Sequence, residues 1–340
     1  MADAFVTLLD LTALTQTDSA VGIVEIVRDF SPEIRVISGR PIEGTWTHIS
    51  RRKVLPGGAV GSVSTGTIKG QATGVGTAGT SPGGTIFRAA GQGIYTEASE
   101  YEKILVQSHF LDGQLQVDEQ IVKADPKRIG DILALESKGQ MEAKFLGLGR
   151  QIYYGIARDP QGFQGFISLY DTTMQVKGNS AAANATESVW LVRNALDGVH
   201  FVYGNGVGLQ AGQWQRQQVL DNNSKPYFAY VNNFSGFIGL ANNHPSSIGR
   251  ICDLDDSGSA GSYITDKMVA QMIAKFPVAY PPTHLFMSRR QRFWLQASRS
   301  VTTPGNLTAS TELKYAVTPT ESNGIPIHVT DSIQLIETVV

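Results

Sequence analysis

The longest stretch whose apolar positions read as one kind of structure runs from Val117 to Tyr154, and it predicts a helix. Asp125 can cap its exposed N–H groups, and Pro126 suits the first helical position, where its missing N–H costs nothing. Ile129, Ile132, Leu133 and Leu135 supply a first apolar group. Met141, Phe145, Leu148 and Ile152 supply a second, at spacings of four, three and four. The second group lies roughly a third of a turn further round than the first. A helix serving one core keeps one face inside, so the rotation predicts a helix passing from one packing partner to another. Lys127, Arg128, Asp131, Glu136, Lys138, Glu142 and Lys144 remain for its solvated sides.

Around this helix the pattern is more broken. Asp18 to Phe30 reads as a helix ended by Ser31-Pro32, Val36 and Ile37 as extended chain, and Thr45 to Ser50 likewise. Residues 51 to 100 are rich in glycine and threonine and poor in large apolar side chains, so they cannot build a core. Val60, Val63, Thr65, Thr67, Ile68 and Thr85 to Phe87 favour an extended hairpin held from outside its own domain. Residues 101 to 122 alternate as strands, with Asp112-Gly113 read as the hairpin turn between them. A short β-rich stretch from Phe163 to Val176 precedes Gly178 to Thr186, which has linker composition.

Residues 187 to 308 predict a second α+β domain. Its strands are Ser188 to Arg193, Val199 to Tyr203, Phe237 to Leu240 and Thr283 to Met287. Its helices are Asp266 to Phe276 and one capped by Ser288 and running to about Ser298. In the tail Ile325, Ile327 and Val329 alternate as a strand, and Ile333 to Val340 can pair beside it. No repeat or heptad run is present.

Composition narrows the classes. A chain of 340 residues, 41% hydrophobic, suits about two cored domains, and a net charge of -2 announces no grip on nucleic acid or anionic membrane. The single cysteine, Cys252, excludes an internal disulfide and reads as a small buried hydrophobe. The N-terminus lacks the basic region of a leader and no stretch has the length of a membrane span, so a soluble intracellular protein is expected.

Candidate chemistry is sparse. His48, His109, His200, His244, His284 and His328 are scattered without metal-ligand spacing. Gly79-Thr80-Ser81-Pro82-Gly83 matches G-x-S-x-G, but Pro82 stands where an elbow needs an oxyanion-binding N–H. Gly204 to Gly208 lacks the glycine spacing of a dinucleotide fingerprint and reads as loop. Asp253, Asp255, Asp256 and Gly258 imitate the start of a calcium loop, yet Ile264 stands where its closing glutamate belongs, so an acidic surface turn is expected. Arg289, Arg290 and Arg292 beside Phe293 and Trp294 fall on different helix faces; packing aromatics and ion-paired arginines are expected rather than nucleic-acid stacking. No catalytic, cofactor-binding or metal-ligating residue is assigned, and no cofactor is expected.

Taken in this order the chain resembles the major capsid proteins of tailed bacteriophages with the Hong Kong 97-type fold. The phrases that carry the resemblance are SEYEKILVQSHF and LQV leading into the long helix, ITDKMVAQMIAKF, PPTHLFMSRRQRFWLQAS and the closing GIPIHVTDSI. The resemblance implies an α+β fold with an N-terminal arm (1–46), an extended Gly/Thr-rich loop (47–100) and a peripheral domain with a spine helix (101–178). An axial domain (179–308) and return strands of the peripheral domain (309–340) complete it. It further implies a non-enzymatic coat protein that self-assembles through pentamers and hexamers into an icosahedral shell around packaged double-stranded DNA. The shell would be built in the host bacterial cytoplasm, without membrane contact.

Scaffolding, portal and decoration proteins are the implied further partners, and DNA meets the inner surface without sequence preference. Only about 46 residues precede the loop, so a separate scaffold or none is expected. Some relatives crosslink a loop lysine to a neighbour's asparagine; Lys53 or Lys69 with Asn323 lack the matching motif, and no crosslink is expected. The rival readings are an encapsulin-type nanocompartment shell, a tail or decoration protein, and an enzyme with a dispersed site near Asp253, Asp255 and His244.

Overall fold

The computed structural model describes residues 31–54, 100–124, 129–180, 185–204, 210–221, 223–257, 259, 261–299, 301–302, 313–314 and 316–337. The chain divides into two compact units, Met1–Thr45 with Gln107–Val340, and Trp46–Val106. The expected helix over Asp18 to Phe30, the spine helix's expected cap at Asp125-Pro126 and most of the glycine-rich loop lie outside the described residues.

In chain order the elements are α1 (Glu33–Val36), β1 (Gly39–Pro41), β2 (Trp46–Val54), β3 (Glu100–Gln107), β4 (His109–Asp118), α2 (Glu119–Ala124) and the spine helix α3 (Ile129–Tyr154). Then come α4 (Phe166–Leu169), β5 (Gln175–Lys177), β6 (Glu187–Val192), β7 (Val199–Tyr203), β8 (Gln210–Ala211), β9 (Gln215–Leu220), β10 (Pro226–Asn242) and β11 (Ile248–Leu254). The chain closes with α5 (Asp266–Ile273), β12 (His284–Met287), α6 (Arg289–Arg299), β13 (Val301–Thr302), β14 (Leu313–Lys314), β15 (Glu321–Ser322) and β16 (Ile325–Val329).

Two sheets organise the larger unit. The first runs β1-β7-β10-β4, with β8 and β9 also on β10. The second runs β15-β16-β12-β6-β11-β5. Its central strand β6, ESVWLV, is buried at every position, as a strand covered on both faces must be. Trp190 and Val192 enter a cluster with Tyr153, Phe166 and Phe286, while Val189 and Leu191 enter another with Val269, Met272 and Leu295. The spine helix thus covers one face, and α5 and α6 the other. Ser288 Oγ accepts from the Gln291 N–H at 3.2 Å, the cap the sequence predicts for α6.

The rotating stripe of the spine helix has its physical counterpart. Leu133, with Ile129 beside it, packs against Val117, Val122, Trp214 and Tyr230. Leu148, Ile152, Tyr153 and Tyr154 belong to the aromatic cluster under the second sheet. Between these ends Phe145 packs against the same cluster and polar contacts are added: Ser137 Oγ accepts from Trp214 Nε1 at 3.0 Å, and Lys144 Nζ donates to the Asp112 carbonyl at 2.8 Å.

Several local expectations are corrected. Asp112-Gly113 is no turn: β4 runs straight through it, with Asp112 opposite Ser235 and Gly113 opposite Phe234 on the 17-residue β10. A ladder on a long partner overrides the local preference of Asp-Gly for turns. Hairpin turns lie elsewhere: Asp221 to Lys225 joins β9 to β10, and Asn323-Gly324, with φ of 50° and 79°, joins β15 to β16. Val36 ends a helical turn rather than extending, and Phe163 to Val176 holds helix α4 besides the short β5. Glu337, in the last run, bridges to Thr186 rather than pairing beside β16.

In the smaller unit β2 and β3 form a two-stranded ribbon. Arg51 Nη2 meets Glu102 Oε2 at 3.0 Å across it. Trp46, Tyr101 and Leu105 are about half exposed or more, at 53%, 62% and 49%. A two-stranded ribbon cannot bury both its faces, so these apolar groups remain at the surface.

Candidate assembly surfaces

The outer strand β4 is the last in its sheet, and it displays alternate side chains to solvent: Phe110, Asp112 and Gln114 are exposed. Phe110, 72% exposed, lies against its register partner Phe237 with ring centroids 5.0 Å apart. At the other side of β10, the edge strand β9 carries exposed Gln215, Arg216, Gln217 and Gln218. Arg216 is fixed by the Glu119 carboxylate at 2.9 Å and stacks 4.3 Å over Phe228. The Arg216 guanidinium holds the Glu119 carboxyl below its usual range, with Lys123 assisting. Exposed strand ends with aromatic and amide side chains are surfaces that another chain can cover.

The residues considered for chemistry fall apart or into structural roles. Asp253 and Asp255 are buried, which corrects the expected acidic surface turn. Ser180 and Ser257 hydroxyls donate to the Asp255 carboxylate at 2.5 and 2.7 Å, and Ile264 is sealed in the core. Burial opposes ionisation of Asp255, but these hydroxyls outweigh it and hold its pKa down. Among the described residues no group of three or more His, Cys, Asp or Glu side chains can hold a metal ion. Gly79 to Gly83 lies outside the described residues, and so do residues 205–209 of the glycine loop.

On α6 the buried positions are Gln291 and Leu295. Phe293 is 55% exposed, so of the expected packing pair only Trp294 is covered, stacked on Tyr263 at 5.2 Å. Arg289 meets Asp331 at 3.2 Å and Arg290 meets buried Glu187 at 3.0 Å, as expected, whereas Arg292 makes no ion pair among the described residues; Arg299 meets Asp266 at 2.6 Å. Asn323 donates to the Asp266 carbonyl at 3.3 Å. Cys252 is buried, with burial pushing its thiol up.

Two relationships escaped the sequence reading. His284 and His328 stack with centroids 5.1 Å apart because β12 and β16 run side by side in parallel. Arg250 and Glu337 form a sealed ion pair. Neither has a spacing signal, since each joins segments brought together by the sheet.

The family profile described as major capsid protein GP7 matches residues 71–340. No curated protein matches the sequence. Among solved structures, one of bacteriophage Epsilon15 is 18% identical over 100% of this chain and 98% of its own, with a TM-score of 0.69. The bacteriophage JBD30 capsid is 10% identical over 95% and 97%, with a TM-score of 0.46. The SrpI encapsulin complex of Synechococcus elongatus is 10% identical over 72% and 95%, with a TM-score of 0.39. At these last two distances neither likeness separates a phage shell from a nanocompartment; the family profile does.

The fold is the Hong Kong 97-like α+β capsid fold of tailed phages. The chain belongs to the major capsid protein GP7 family. It is a shell-forming structural protein of the virion, and its partner is other copies of itself in capsomers.

Proposed function

We propose that the shell encloses the packaged double-stranded DNA of a tailed phage, and that pentamers and hexamers of this chain assemble in the host cytoplasm. The family match over residues 71–340 carries the reading. The exposed Tyr101 and Leu105 of the ribbon and the exposed Phe110 support it, because subunit contacts would cover them. In this scheme residues 1–46 are an arm beneath a neighbour, 47–100 a loop across one, and 101–178 with 309–340 the peripheral domain. Residues 179–308 gather at the capsomer axis. Separate scaffolding, portal and decoration proteins are its further partners, and the chain itself performs no chemistry.

The test is nuclease treatment of particles purified from infected cells, followed by opening them. Protected double-stranded DNA of uniform length is expected; particles filled with protein cargo and devoid of DNA would overturn the reading.

A further inference from the structure

Helix α6 begins RRQR and carries no acidic residue in its first turn, although the N-terminal end of a helix favours negative charge. Three of its four arginines are neutralised: Arg289 by Asp331 at 3.2 Å, Arg290 by Glu187 and Arg299 by Asp266. The Arg292 guanidinium has no ion-pair or hydrogen-bond partner among the described residues. Arg289 and Arg292, three apart, share one side of the helix. The side chain of Arg289 is 62% exposed and meets Asp331 through one contact, so most of its donors remain open.

Both arginines line an open surface pocket of about 480 Å3, together with Pro32, Ile327, His328 and Val329. The topology builds it. Parallel strands β12 and β16 end side by side, Met287 opposite Val329, and β12 passes through Ser288 directly into α6. Ligands of open α/β sheets sit in the corresponding place, beyond the carboxyl ends of parallel strands. Neither ring nitrogen of His328 is bonded among the described residues, and Nε2 is sealed from solvent. Nδ1 is not among the sealed atoms, so in the Nδ1–H tautomer it is the ring donor that a guest can reach.

We propose that this pocket binds a phosphate group, held by Arg289, Arg292 and the Nδ1–H of His328. Forked guanidinium donors match phosphate oxygens, and a tetrahedral oxyanion can accept from three directions at once, which a single carboxylate does less well. Asp331 is the competing anion, and with one carboxylate against two guanidinium groups the pocket stays positive. The phosphate can belong to a nucleic-acid backbone or to a small phosphorylated molecule. The proposal concerns the pocket and does not depend on the shell enclosing DNA.

The test is calorimetric titration of the soluble full-length chain with inorganic phosphate and, separately, with a short mixed-sequence DNA duplex. Histidine-labelled NMR follows His328 in parallel. Phosphate is expected to bind once per chain and to move the His328 signals. Arg292→Gln is expected to weaken binding by about tenfold, as loss of one charge-assisted hydrogen bond implies, while exposed Lys267→Gln leaves it unchanged.

Duplex binding that is also lost in Arg292→Gln assigns the source to nucleic acid; phosphate binding alone assigns it to a small molecule. Either result upholds the site. Wild-type protein that ignores phosphate, or equal affinity in Arg292→Gln, would overturn it. If Arg292→Gln does not fold, an unmoved His328 signal in the wild type overturns it on its own.

Discussion

Arg250 Nη2 and Glu337 Oε2 lie 2.7 Å apart with both side chains only 4% exposed, and they pin the end of the described chain to the middle of the second sheet. Arg250 Nε also donates to Ser188 Oγ at 2.9 Å, and its guanidinium lies 5.5 Å from the Trp190 ring. Two backbone bonds join Glu337 to Thr186 beside it. Burial pushes the Glu337 carboxyl up against the pull of Arg250, so without the guanidinium the carboxyl must take up a proton to stay inside. Arg250→Met is therefore expected to cost about 3–5 kcal/mol, and Arg250→Met with Glu337→Leu markedly less. Urea melts of the unassembled chain check this.

The spine helix ends at a close backbone approach. Gly155 has φ of 55°, and a Cβ placed on it would sit 2.1 Å from the Gly165 nitrogen. Neither atom belongs to a movable side chain. Gly155→Ala is expected to destabilise by at least about 2 kcal/mol, whereas Gly130→Ala, in open space on the same helix, is expected to be neutral or stabilising. Thermal melts of the two variants side by side give the comparison.

Acid is expected to weaken the fold through its histidines. Burial holds His200, His284 and His328 below their ordinary value of 6.5, with Arg40 adding to the effect on His200 and His284 to that on His328. A depressed histidine stays neutral in the folded chain while the unfolded chain takes up the proton. Their cost is thus absent well above pH 6.5 and grows as pH falls from there toward the depressed values. The charged groups around the pocket that His328 lines are Arg289, Arg292 and Asp331. The midpoint of urea unfolding is expected to fall between pH 7 and 5, and His328→Phe to flatten the slope.

Tyr101 and Leu105 offer a test of the ribbon. Because both are exposed in the single chain, replacing them with serine is expected to leave its stability nearly unchanged and to shift the assembly equilibrium toward free subunits. Deleting residues 57–84 is expected to do the same more completely, leaving a soluble chain without stable shells. Sedimentation velocity distinguishes both from simple misfolding.

Where periodicity is long, the sequence was legible. The spine helix, its rotating apolar face, the Ser288 cap and the strand-cap-helix run through Met287 and Arg289 all follow from local pattern. The two dipeptide turns show the limit. Asp112-Gly113 looks like a hairpin but is held straight by β10, and β10 itself was hard to see because Asn232, Asn233, Ser235 and Gly236 interrupt its apolar pattern. Asn323-Gly324 makes a real hairpin, with strands too short to announce themselves. The sealed Arg250-Glu337 pair, the stacked His284-His328 pair and the cationic pocket exist only once distant strands are paired, so no window along the chain contains them.

Copies of this chain are expected to build a closed shell. Negative-stain electron microscopy of the purified protein, with light scattering for its assembly mass, tests it most directly. Closed particles are expected, or rings of a few subunits that convert to them when residues 1–340 are expressed with any required scaffold. A monomer at every concentration, unchanged by co-expression with scaffold candidates, would contradict it.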